Sequence, residues 1–158
     1  MRRLIFGVAG VLLFAGTAQA QGLGYGVGGL AGVSGFFGDL SGYNVAGGGE
    51  GLVAGRVGAG GEFGLIGDSS RVLAVVSANG VYHVMKLSRD SRRSPFVTGG
   101  YTWMGSGDGS FNAWNVGAGM DFWSRGRTGF RVEFRDHIRP DSRGTVQYWT
   151  ARGGIVWR

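Results

Sequence analysis

Chemistry in this chain would have to come from very few residues. There are two histidines, His83 and His137, and no cysteine. A metal site needs several N, S or O ligands converging on one point. The histidines fall in separate segments, and Asp136 alternates to the face opposite His137, so each reads as a polar interior or interfacial side chain. No metal and no cofactor are expected. Arg131, Glu133 and Arg135 recur at every second position. That spacing could hold an acid–base pair, but on a strand it builds an ion-pair ladder along one face, which is the favoured reading. Gly47-Gly48-Gly49 and Gly58-Ala59-Gly60-Gly61 do not open a helix, which removes a phosphate-binding loop. Between Lys86 and Ser94, four cations (Lys86, Arg89, Arg92, Arg93) accompany only Asp90. This reads as a solvated connection able to attract anionic polymers. No catalytic residue emerges.

Whatever positions these side chains is built without disulfides. Met1-Arg2-Arg3 followed by an apolar run from Leu4 to Gly16, and then by Ala18-Gln19-Ala20, has the form of a cleaved signal peptide. The run is too short for a membrane helix, which needs about 20 residues. Residues 1–20 are therefore expected to leave, and residues 21–158 to form one domain. Loss of Arg2 and Arg3 would lower the net charge from +6 to +4. Glycine is the anomaly, 35 of 158 residues, against a usual share of about 7%. Aromatics reach 13% and prolines number two, which argues against a flexible linker and for strands whose backbones approach closely.

Alternation with period two runs through the chain. Residues 128–138 set Phe130, Val132 and Phe134 against Arg131, Glu133, Arg135 and His137. Residues 111–123 set Trp114, Val116, Ala118, Met120 and Phe122 against Asn115, Gly117, Gly119 and Asp121. Residues 145–157 set Trp149, Ala151, Ile155 and Trp157 against Tyr148, Thr150, Arg152 and Gly154. Similar patterns cover residues 22–36, 56–67, 71–85 and 96–104. In residues 22–36 one face reads Leu23, Tyr25, Val27, Ala31 and Val33. Residues 44–52, rich in glycine, are the weakest of the eight segments.

The decisive feature is which face holds what. A soluble sandwich buries its apolar face, and its interior could not accept Glu50, Glu62, Asp121, Arg131, Glu133, Arg135 and Arg152 together. Here the charged face carries the small residues, and small residues suit the cramped inside of an eight-stranded barrel. The large apolar face suits lipid. The expected lumen network is Glu50, Glu62, Asp121 and Glu133 with Arg56, Arg131, Arg135 and Arg152, four charges of each sign. Aromatics at predicted strand ends (Tyr101, Trp103, Trp114, Phe122, Trp123, Tyr148, Trp149 and Trp157) are expected to form the interfacial girdles. The fold class expected is all-β, an eight-stranded antiparallel transmembrane up-and-down barrel.

Four stretches carry a family likeness: Ser94-Pro95-Phe96-Val97-Thr98-Gly99-Gly100-Tyr101, the run 115–120, the run 129–137, and the closing strand to Trp157. With them the chain resembles the small outer-membrane β-barrel domain family, the group of eight-stranded barrels. The resemblance implies both barrel termini in the periplasm and insertion by the barrel-assembly machinery, which reads a terminal aromatic. Here that signal is shifted by one, to Trp157-Arg158. Some barrels of this size are lipid A deacylases with a His-x-Ser motif. His83 is followed by Val84-Met85 and His137 by Ile138-Arg139, so the motif is missing and no enzyme is expected.

The function expected is a non-catalytic structural or surface-contact barrel, with a narrow passive channel and a soluble glycine-rich secreted protein as alternatives. Its partners would be outer-membrane lipids and lipopolysaccharide, with cell-wall polymers at residues 86–94 and no nucleic acid.

Overall fold

Alternating sequence becomes a closed ring of strands. The computed structural model describes residues 24–36, 42–68, 71–85, 91–107, 109–124, 127–142 and 144–158. The expected signal peptide, the Gly38-Asp39 break and the cationic core of the basic connection (residues 86–90) lie outside the described residues. The strands are β1 (Gly24–Phe36), β2 (Gly42–Ala54), β3 (Val57–Gly67), β4 (Val72–His83), β5 (Arg93–Ser106), β6 (Gly109–Trp123), β7 (Thr128–Asp141) and β8 (Gly144–Trp157). Each is hydrogen-bonded antiparallel to the next, and β8 pairs with β1 to close the barrel. Closure leaves no unpaired edge. Glycine-rich residues 44–52 are the centre of a 13-residue strand, β2.

Two ends follow from this order. The proximal end is where β1 starts, β8 finishes, and β2–β3, β4–β5 and β6–β7 connect. The distal end holds the other connections.

Strand limits depart from the sequence reading at both prolines. β5 begins at Arg93, upstream of Pro95, and β7 runs through Pro140, which pairs with Thr145. The connection expected to reach Ser94 is shorter as a result. Val84 N–H donates to the Pro95 carbonyl at 3.0 Å. An antiparallel pair of this kind exchanges two bonds, but Pro95 has no N–H to return. The Val84 carbonyl instead accepts from the Arg56 guanidinium at 3.1 Å.

The alternation of β1 is interrupted. Its register against β2 shifts between Val27 and Leu30. The backbone alternation expected to run unbroken through residues 22–36 is therefore interrupted. An extra residue in one strand of a pair does this by breaking the two-residue count. Side-chain burial downstream of the shift follows the barrel: Leu30 and Ser34 are buried, Val33 exposed.

Inside and outside are inverted relative to a water-soluble protein. Phe63, Leu65, Trp114, Val116, Phe130, Val132, Phe134 and Ile155 are exposed, while Glu50, Asp121, Arg131, Glu133, Arg135 and Arg152 are buried. The lumen is layered. A proximal apolar plug joins Leu30, Ala46, Trp123 and Val156 with Leu52 packed against it. Charged residues fill the middle. Ser77, Thr102 and Asn115 form a neutral hydrogen-bonded layer. A second apolar plug of Ile66, Val75 and Met104, with Phe111 against it, lies toward the distal end.

Candidate functional site

The charged middle of the lumen is the one place where functional groups converge, and strand pleating puts them there. Positions 50, 62, 121, 131, 133, 135 and 152 all take the inward side of their strands. Strand pairing then sets their levels, with Asp121 opposite Arg131 and Glu133 opposite Arg152.

Two linked groups result. In the first, Arg131 clamps Asp121 with two bonds, Nε to Oδ1 at 2.6 Å and Nη2 to Oδ2 at 2.9 Å. Its Nη2 also reaches Glu50 Oε2 at 3.4 Å, across the lumen from β7 to β2. Glu50 Oε1 meets His83 Nε2 at 2.5 Å. The Arg131 guanidinium lies 4.2 Å from the centre of the Phe96 ring, a cation–π contact. In the second group Arg152 clamps Glu62 at 2.7 and 2.5 Å, joining β8 to β3. Arg152 Nη2 also donates to Glu133 Oε1 at 3.0 Å, and Arg135 Nε donates to the same oxygen at 2.7 Å. Paired geometry of this kind is what makes buried charge tolerable.

Neither β2 and β7 nor β3 and β8 are neighbours in the sheet, so these bonds brace the barrel across its diameter. The void beside Glu50, Glu62, Arg131 and Arg135 is about 30 Å³, room for about one water molecule.

Three of the sequence assignments are corrected here. Arg56 is not in the lumen network. It follows Gly55, whose φ of +56° makes the β2–β3 turn, and its exposed guanidinium bonds the Val84 carbonyl. Trp123 is not in the girdle. Phe122 points outward, so its neighbour points in, and Trp123 is only 5% exposed, its indole N–H donating to Ser94 Oγ at 3.3 Å. Tyr148 likewise sits on the inward side, stacked on Phe111 at 6.1 Å.

Tyr101, Trp103, Trp114, Phe122 and Trp157 are exposed on the outer face, and Trp149 is half-buried there. Tyr101 meets Trp114 edge-on at 5.1 Å and Trp149 stacks on Phe134 at 6.2 Å.

The expected network omitted His83, which bonds Glu50. With Arg56 outside, four carboxylates face three guanidiniums and this imidazole. The signal was available, because His83 shares the inward face of β4 with Ser77 and Asn79. Phe96, the platform for Arg131, was also missed as a site residue. Its ring lies over Gly119, where a Cβ would sit 2.5 Å from both the Phe96 ring and the Val132 carbonyl oxygen. Gly119→Val is expected to push Phe96 off this seat and cost about 1–3 kcal/mol by overpacking. Urea unfolding in lipid vesicles measures it, and a wild-type midpoint would mean the ring has room elsewhere.

His137 is buried beside the second group, with Nδ1 unpartnered among the described residues. It lies on β7 and His83 on β4. Among the described residues no three His, Asp or Glu side chains are grouped to hold a metal ion. The arrangement can brace the barrel and plug its lumen.

No family model matches the chain, and no curated protein matches its sequence. Solved structures match its shape. Neisserial surface protein A is 9% identical with a TM-score of 0.61, over 85% of this chain and 96% of that one. The N-terminal β-barrel domain of Pseudomonas aeruginosa OprF is 14% identical with a TM-score of 0.57, over 84% and 96%. A de novo designed transmembrane β-barrel is 19% identical with a TM-score of 0.56, over 85% and 93%. The fold is that of the eight-stranded transmembrane β-barrels.

Proposed function

We propose that this chain is an outer-membrane barrel that works without catalysis, as a structural or surface-contact element. The observation that carries the reading is the inversion of faces. A belt of exposed Phe, Trp, Val and Ile surrounds a lumen of paired charges, which suits lipid outside and excludes it within. The cross-lumen clamps and the two apolar plugs favour a closed plug over the narrow channel. Lipids and lipopolysaccharide contact the outer face, and Trp157, exposed at the end of β8, is the aromatic presented to the assembly machinery.

With the strand termini in the periplasm, an even number of crossings returns the β4–β5 connection to that side. Arg92, Arg93 and the neighbouring cations then face cell-wall polymers. One experiment tests both location and side. The protein is expected in the outer-membrane fraction, with folded and boiled forms migrating differently on gels. The chain has no cysteine, so Ser91→Cys supplies a single label site. A membrane-impermeant maleimide should react with it only after lysis. Recovery as a soluble protein overturns the barrel reading, and labelling of intact cells overturns the orientation.

A further inference from the structure

Among the described residues, the lumen is filled up to the distal plug and leaves a cavity beyond it. There a cup of about 510 Å³ is floored by Ile66, Leu73 and Phe111 and rimmed by Arg71 and Arg139. That volume lies within the range of small-molecule sites, about 300–1,000 Å³.

The two rim cations differ from the three guanidiniums of the lumen network. Arg131, Arg135 and Arg152 are each held by carboxylates. Among the described residues, neither Arg71 nor Arg139 is ion-paired with a carboxylate. Asp68 lines the same cup, but its Oδ1 accepts from the Arg71 backbone N–H at 2.9 Å. Arg139 lies 4.5 Å from the centre of the Phe111 ring, and Phe111 stacks on Tyr148. Tyr148 lines the same cup as both arginines.

Two cations above an aromatic and aliphatic floor call for an anion with an apolar body. We propose that the cup binds a small amphipathic anion, an aryl or short-alkyl phosphate or carboxylate. Its charged group sits between Arg71 and Arg139, where bonds to a guanidinium are charge-assisted. Its apolar part lies against Phe111, Leu73 and Ile66, away from water. The site rests on the proposed orientation only for which side of the membrane it faces. Binding to the barrel in a bilayer is independent of that, so the two readings fail separately.

The test is titration of phenyl phosphate into the protein in phosphatidylcholine nanodiscs, followed by amide chemical shifts. Saturable shifts are expected around residues 66–73, 109–111 and 139, with phenol and inorganic phosphate each binding at least about tenfold more weakly. Arg71→Gln with Arg139→Gln should lose the phosphate preference while leaving the heat-modifiable gel shift intact. Ser106→Trp, at an inward position of β5 in line with Thr102 and Met104, puts an indole into the cup without touching its charge, should abolish binding of all three and serves if the arginine variants do not fold. Equal binding of phenol and phenyl phosphate, unsaturable shifts, or wild-type affinity in either variant would overturn the proposal. So would shifts that appear only when lipid A is added to the disc, since the ligand would then be a membrane phosphate.

Discussion

Arg152→Met is expected to cost about 3–5 kcal/mol of folding stability, because it leaves buried carboxylates without their partner. Glu62 loses both bonds of its clamp and Glu133 one of its donors. Only Arg135 remains between them, at 3.7 Å from Glu62 Oε2. A methionine of similar length fills the space, so the loss is electrostatic rather than a cavity. The companion variant, Arg152→Met with Glu62→Leu, removes both members of the clamp and should recover much of the loss, since a buried pair is often replaceable by apolar residues of similar volume. The measurement is guanidinium unfolding in phospholipid vesicles for both single variants and the double. A coupling energy near zero would mean that the Arg152–Glu62 contact does not brace β3 against β8.

Val132→Arg is expected to cost about 2–4 kcal/mol if lipid covers that side of β7, with the larger figure applying at the bilayer midplane. Its neighbour supplies the contrast. Glu133→Gln removes a charge from the buried network, yet Arg135 and Arg152 keep Glu62, and four carboxylates there exceed three guanidiniums. It should cost less than Val132→Arg. In a water-soluble β-protein the order would reverse, because a surface Val→Arg is nearly free and a buried Glu→Gln is not. Equal costs, or the reverse order, would place water on the outer face and sink the membrane reading.

The strands, their number and most of their faces were legible because side chains in an extended chain alternate strictly. Arg131, Glu133 and Arg135 could be assigned to one side, and Phe130, Val132 and Phe134 to the other, without knowing any partner. The same rule, applied one residue further, would have turned Trp123 inward. Position near a strand end was read in place of parity, and the girdle gained a lumen residue. Arg56 was misplaced because pattern alone does not say where a strand stops. Gly55 takes a left-handed φ there and makes position 56 part of a turn. The break in β1 was hidden for a related reason, since the extra residue between Val27 and Leu30 shows only against the register of β2.

Alternation and composition alone imply an all-β chain whose charged face is cramped and whose apolar face is bulky, which is enough to imply a barrel with lipid outside. Which charges meet is set by the closed ring. Glu50 and Arg131 are 81 residues apart, and Glu62 and Arg152 are 90 apart. Such pairs depend on closure, strand stagger and lumen width, which are properties of the whole ring. The distal cup has the same origin. Arg71 and Arg139 lie on opposite halves of the chain and come to line one cup only when eight strands close.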